Sequence, residues 1–172
     1  MKISKSKVRR YWPIPNCLKK YVPTKGVSAF AAPRDAGIGK VGKHTGVDIW
    51  AHLGDKVVAV EDGIVIKAGL FTGGTDEPRW LKTYAVMVQN DSGLVIVYGE
   101  VRKPKFKLGH KIKAGQIIGR IARVLKRGDE NGGSPYMLHF ELHKTGSKDF
   151  FDWYGKKPDI LLDPTEYLSS LL

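Results

Sequence analysis

The chain has 172 residues, 42% of them hydrophobic and 27% charged. Those are globular values at a length that can bury one real core, so disorder is not the default reading. A single cysteine, Cys17, rules out an internal disulfide framework and a cysteine-rich zinc finger.

The formal net charge of +12 is unevenly placed. Residues 1–10 (MKISKSKVRR) carry five basic residues, and 101–127 carry ten, with no acid in either stretch. Such runs form either a solvated face or an electropositive surface for a polyanion. Candidate polyanion contacts are Lys103, Lys105, Lys107, Lys111 and Lys113. The polyanion could be an anionic wall polymer, an anionic membrane surface or, with less support, a nucleic acid. The basic start is followed by Trp12-Pro13-Ile14-Pro15, not by an apolar stretch of signal-peptide length. No segment reaches membrane-spanning length. The expectation is a leaderless chain made in the cytoplasm, with no membrane insertion, and then released or particle-borne.

Residues 1–10 read as a basic arm and 11–172 as a single domain. From 11 to 43, Pro- and Gly-rich text (YWPIPN, YVPTKG, APRDAGIGKVGK) predicts long N-terminal loops with little regular structure. The pattern then alternates with period two. Val57–Val60, a turn at Glu61-Asp62-Gly63, and Ile64–Lys67 predict a hairpin. Residues 69–82 are expected to be loop. Thr83–Val88, a turn at Asn90-Asp91-Ser92-Gly93, and Leu94–Tyr98 predict a second hairpin. Strands follow within Lys111–Val124, then a polar loop over 127–136, then a strand over Met137–His143. Thr165–Leu172 is a short C-terminal helix. The class is all-β.

The stretch MLHFELH places Met137, His139, Glu141 and His143 on one strand face. Upstream, His44 and Asp48 in HTGVD are four apart and share a face of a strand or a helix. Two histidines and an aspartate form a nitrogen and oxygen donor set. Zinc accepts such a set and, with three protein ligands, keeps a fourth position. His143 reads as a surface strand histidine, and His52 and His110 as solvated.

These pieces occur in a specific order: HTGVDI, GDKVVAVEDGIVIKAG, VIVYGEV, LGHKIKAGQIIGRI, LHFELH and LLDPTEYL. In that order, and over about residues 11–168, the chain resembles the lysostaphin/LytM-type zinc metallopeptidases. The family cuts peptide bridges and stems of bacterial peptidoglycan. The resemblance implies an antiparallel β fold of the duplicated-hybrid-motif type, sandwich- or barrel-like, with a groove across the sheet. It implies one zinc ion held by His44, Asp48 and His139, and peptidoglycan as partner.

The chain departs from that family at two positions. Where the family keeps a histidine two residues before the third ligand, this sequence has Met137. Where it keeps a histidine two residues after a tyrosine, Tyr98 is followed by Glu100. Methionine donates no hydrogen bond to a developing oxyanion, and loss of one such donor costs roughly 10²–10³ in rate. Glu100 could serve as a base, but its carboxylate would repel the oxyanion. The expectation is therefore a zinc-binding domain directed at wall peptide whose hydrolysis is weakened or lost. The alternative is a non-enzymatic interaction protein that keeps zinc for stability and binds a protein partner or polyanion through its basic stretches. A carrier reading of KVVAVEDGIVIKAG lacks the lysine that a carrier needs at a hairpin tip.

Overall fold

The computed structural model describes residues 9–17, 19–35, 41–73, 80–126 and 134–172. Most of the basic arm and most of the loop at 127–136 lie outside them. Among the described residues the strands are β1 (Pro33–Asp35), β2 (Val41–Lys43), β3 (Val47–Trp50), β4 (Lys56–Val58), β5 (Gly63–Thr72) and β6 (Thr83–Asn90). They continue with β7 (Val95–Val101), β8 (Lys111–Ile112), β9 (Ile117–Arg120), β10 (Met137–His143), β11 (Trp153–Tyr154) and β12 (Leu161–Leu162). One short helix, α1 (Thr165–Ser169), follows. The chain is thus nearly all antiparallel β, as expected.

A seven-stranded sheet runs in the order β12-β10-β7-β6-β5-β8, and β3 also pairs with β10. The smaller sheets are β1-β2-β11 and β4-β9. Both faces of the large sheet are covered. On one face Val86, Val88, Ile96, Tyr98, Leu138, Phe140 and Leu142 join Val57, Ala59 and Ile118 of the β4-β9 layer in the main core. On the other, Ala85, Met87, Val95 and Val97 pack with Ile66, Phe71 and Phe150. Burial on two faces explains why β6 and β7 read as nearly continuous apolar text.

This packing fixes the register of β10. Leu138 and Phe140 are fully buried, and removing each such side chain from water is worth about 1.5–3 kcal/mol. A slip by one residue would drive His139 and Glu141 into the apolar core. His139, Glu141 and His143 are therefore held on the second face, where Gly99, Val97 and Val95 of β7 are their partners.

The second expected hairpin forms, with Val88 opposite Ile96 and Gly93 N–H donating to the Asn90 carbonyl at 2.9 Å. The first does not. β4 pairs with β9, and β5 pairs with β6 and β8. The chain leaves one sheet for another between Val58 and Gly63. Asp62, at the expected hairpin turn, instead accepts hydrogen bonds from the Ala114 N–H at 2.8 Å and Lys113 Nζ at 2.7 Å. Two further expectations are corrected. Residues 69–72 belong to β5 and not to a loop. The 11–43 region contains β1 and β2, which pair with each other and with β11.

Candidate metal centre

Asp48 lies on β3 and His139 on β10, and they are direct register partners. His44 sits in the loop before β3. The tight approach of that loop requires a glycine at Gly46, where a Cβ would lie 2.3 Å from the Phe140 carbonyl oxygen. The HTGVD spacing thus has a steric cause beyond the identity of its ligands.

The three side chains converge. His44 Nε2 is 3.0 Å from His139 Nδ1, and Asp48 Oδ1 is 3.1 Å from the first and 3.0 Å from the second. All three residues are buried. Among the described residues, they are the one group of three or more His, Cys, Asp or Glu whose donor atoms all lie within 4.8 Å of one another.

The outer atoms of the same groups are already committed. His44 Nδ1–H donates to the Ala29 carbonyl at 2.9 Å. His139 Nε2–H donates to Glu141 Oε1 at 2.9 Å. Arg34 Nη2 donates to Asp48 Oδ2 at 2.8 Å, leaving Oδ1 turned inward. Two imidazole nitrogens and a carboxylate oxygen therefore meet at one point, an arrangement that a cation between them would stabilise. A metal ion fits this donor set, and a proton is the lesser substitute.

The electrostatics agree with that account. Burial lowers the His44 pKa, against the attraction of Asp48. Burial disfavours ionised Asp48, but His44 and His139 outweigh it and hold the carboxyl well below the usual range. Burial also opposes charge on His139, yet hydrogen bonds to Asp48 and Glu141 push its pKa up to about 10. One proton is thus held in the cluster, on His139.

Glu100 is buried beside this cluster without belonging to it. Burial and the charge of Asp48 push its carboxyl up to about 8. Its Oε2 has no hydrogen-bond partner. Its backbone is left-handed at φ 63°, a conformation that glutamate rarely adopts and that commonly marks functional positions. Ala122 N–H holds the strained carbonyl at 3.0 Å. Met137 is half-buried and is the register partner of Trp50, whose side chain is exposed on the Asp48 face.

His143 corrects the sequence reading. It is fully buried, not on the surface. Its ring stacks on Phe151 at 4.9 Å between centroids. His52 is exposed, as expected, and so is His110, whose ring lies 5.1 Å from Phe106. Sequence reasoning missed Arg34, Thr45 and Glu141. Glu141 was legible in principle, because it follows His139 by two on the same strand face. Arg34 carried no signal, since its approach to Asp48 is made by β1 folding back on β2. Lys103, Lys105, Lys107, Lys111 and Lys113 are all exposed. Lys113 pairs with Asp62. Among the described residues the other four meet no carboxylate within 4 Å.

An antiparallel sheet that gathers two imidazoles and a carboxylate on one face defines a β-domain with a metal-ligand type of donor set. The sequence matches Peptidase family M23 over residues 42–150, and the chain belongs to that family; the domain is of peptidase type.

The glycyl-glycine endopeptidase ALE-1 of Staphylococcus capitis is 37% identical over 79 residues, 45% of this chain and 20% of that protein. A lipoprotein NlpD/LppB homolog of Pseudomonas aeruginosa is 29% identical over 123 residues, 72% of this chain and 32% of that one. The chain therefore spans 20% and 32% of the length of these curated relatives. Among solved structures, the catalytic domain of lysostaphin from Staphylococcus simulans aligns with a TM-score of 0.55 at 23% identity, covering 82% of this chain and 89% of that one. A chain of the SpoIIIAH–SpoIIQ complex aligns with a TM-score of 0.57 at 21% identity, covering 94% and 99%. These likenesses establish the shared fold. No helix among the described residues is long and apolar enough to cross a membrane.

Proposed function

We propose that this chain is a zinc-binding peptidase domain directed at peptide bonds of the bacterial cell wall, working with an altered and weakened catalytic set. The carrying observation is the convergence of His44 Nε2, Asp48 Oδ1 and His139 Nδ1 while their outer atoms are occupied. The lysostaphin and ALE-1 likenesses support wall peptide as the substrate class. His44, Asp48 and His139 would hold the ion, and three ligands leave a position for substrate.

Bound zinc would supply a Lewis acid that polarises a scissile carbonyl and a positive charge that favours ionised Glu100. The chain's own groups do the rest. Ala29, Glu141 and Arg34 keep the ligand atoms turned inward. Glu100 has two useful states. Protonated, it is a neutral donor for a developing oxyanion; ionised, it is a base for the attacking water. The expectation that this carboxylate repels the oxyanion therefore applies only to the ionised form. Met137 supplies neither function, which leaves one of the two accessory places without hydrogen-bonding chemistry.

The test is metal content of the purified protein together with digestion of peptidoglycan and of short glycine-rich peptides. Stoichiometric zinc with slow, zinc-dependent cleavage is expected. A protein that cannot be loaded with zinc, or whose folded form cuts at ordinary enzyme rates after Glu100→Gln, ends this reading.

The exposure of Lys103, Lys105, Lys107 and Lys111 supports a second reading. In it the zinc is structural and the basic face binds a polyanion or a protein partner. It is separated from the first by whether zinc removal abolishes an activity or only lowers stability.

A further inference from the structure

Beyond the ligands, a line of buried polar groups runs along the second face of β10 and ends at the turn after it. Glu141 Oε1 accepts from His139 Nε2–H at 2.9 Å and from the Thr45 hydroxyl. Glu141 Oε2 lies 2.8 Å from His143 Nε2. His143 Nδ1 lies 2.7 Å from Ser147 Oγ. Glu141 is 1% exposed, His143 0% and Ser147 6%. We propose that His143 is a positioning residue for the metal centre: through Glu141 it holds His139 with Nε2 outward and Nδ1 facing Asp48 and His44. The inference rests on the metal reading of that cluster and extends it to a residue that touches no ligand.

The hydrogen-bond chemistry fixes which atom must donate to Glu141. Glu141 faces three possible donors: the Thr45 hydroxyl and His139 Nε2 on Oε1, and His143 Nε2 on Oε2. Its carboxylate oxygens serve this set as acceptors. Nε2 of His143 must then carry a proton. In the neutral ring Nδ1 is an acceptor, and the Ser147 hydroxyl donates to it. Ser147 reaches that place because the chain turns sharply at Gly146, whose φ of 94° is open only to glycine at low cost.

His143 is also sterically confined. Val95 on β7 and Leu161 on β12 are its register partners, and Phe151 covers its ring. A locked imidazole pins one carboxylate oxygen, and the pinned carboxylate presents the other to His139. Without His143, Oε2 becomes a buried acceptor with no partner, and Glu141 gains a reason to rotate away. Outer partners of this kind are worth roughly 10- to 100-fold in metal affinity.

The experiment compares zinc affinity, by competition with a chromophoric chelator, in the unmodified chain, His143→Leu, His143→Gln and Ser147→Ala. His143→Leu should bind zinc roughly 10- to 100-fold more weakly while remaining folded. His143→Gln, whose amide can still donate to Glu141, should recover part of the loss. Ser147→Ala should weaken binding less than His143→Leu. A folded His143→Leu protein with unchanged affinity overturns the proposal while leaving the metal centre intact. If the unmodified chain binds no zinc, the metal reading fails first. Should His143→Leu not fold, ring-nitrogen chemical shifts in the unmodified, zinc-loaded protein decide the matter. A proton on His143 Nε2 is expected; a ring that carries none at Nε2 overturns the proposal.

Discussion

Asp48 Oδ1 lies 3.0 Å from His139 Nδ1, across a direct register pair of β3 and β10. Any ion entering the cluster must break that contact and displace the proton that holds it. Because the His139 pKa is pushed up to about 10 and that of His44 is lowered, the His44–Asp48–His139 cluster itself gives up one proton at neutral pH. Glu100, raised to about 8, gives up a further one where the ion favours its ionised form. Apparent zinc affinity should therefore rise about tenfold or more per pH unit between pH 6 and 8. Chelator competition at several pH values measures the slope. A flat profile contradicts this assignment.

Glu100 makes the metal-free protein sensitive to alkali. Its folded pKa of about 8 exceeds the ordinary glutamate value of 4.5, with burial as the main cause and the charge of Asp48 next. A raised carboxyl pKa leaves stability undiminished below the unfolded value and removes it as pH climbs through the folded one. The metal-free chain should lose stability between about pH 4.5 and 8 from this group. Glu100→Gln should remove that part of the slope, raising Tm at pH 8.5 by roughly 5 °C or more while changing little at pH 4.5. Thermal melts of the two metal-free proteins across this range provide the comparison. A constant difference at all pH values would place the effect elsewhere.

Restoring the family's accessory pair is the most direct test of weakened chemistry. Met137→His with Glu100→His should raise the rate on peptidoglycan and glycine-rich peptides by roughly 10²-fold or more. Zinc content should stay the same. A lower rate in the double variant would show that Glu100 serves better there than a histidine and that the site is not weakened, and Glu100→Gln alone should then abolish activity.

The exposed lysines between β7 and β9 predict salt-sensitive binding. Affinity for an anionic wall polymer should fall steeply as ionic strength rises. Charge reversal at Lys103, Lys105 and Lys107 should weaken it at low salt. Lys113 should matter less, because it is already paired with Asp62 at 2.7 Å. Binding that ignores salt, or is missing at low salt, would mark these lysines as a solvated face.

The sequence by itself determined the all-β class, the second hairpin, the terminal helix and the identity of the three converging side chains. Period-two alternation states which residues share a face, and the ordered motifs match the ligand positions of one family. Alternation does not state which strand lies alongside. Val57–Lys67 therefore read as a hairpin, although Asp62 draws the chain toward Ala114 and Lys113, and β4 pairs with β9 instead. Nor does alternation state whether a polar face is open. His143 looked like a surface residue until β7, β12 and Phe151 were seen to enclose it, a matter of contacts distant in sequence. The pKa of Glu100 and the proton on His139 were decided in the same way. Both depend on how much water the folded chain removes and which charges it brings near, and neither quantity exists before β3, β7 and β10 are side by side.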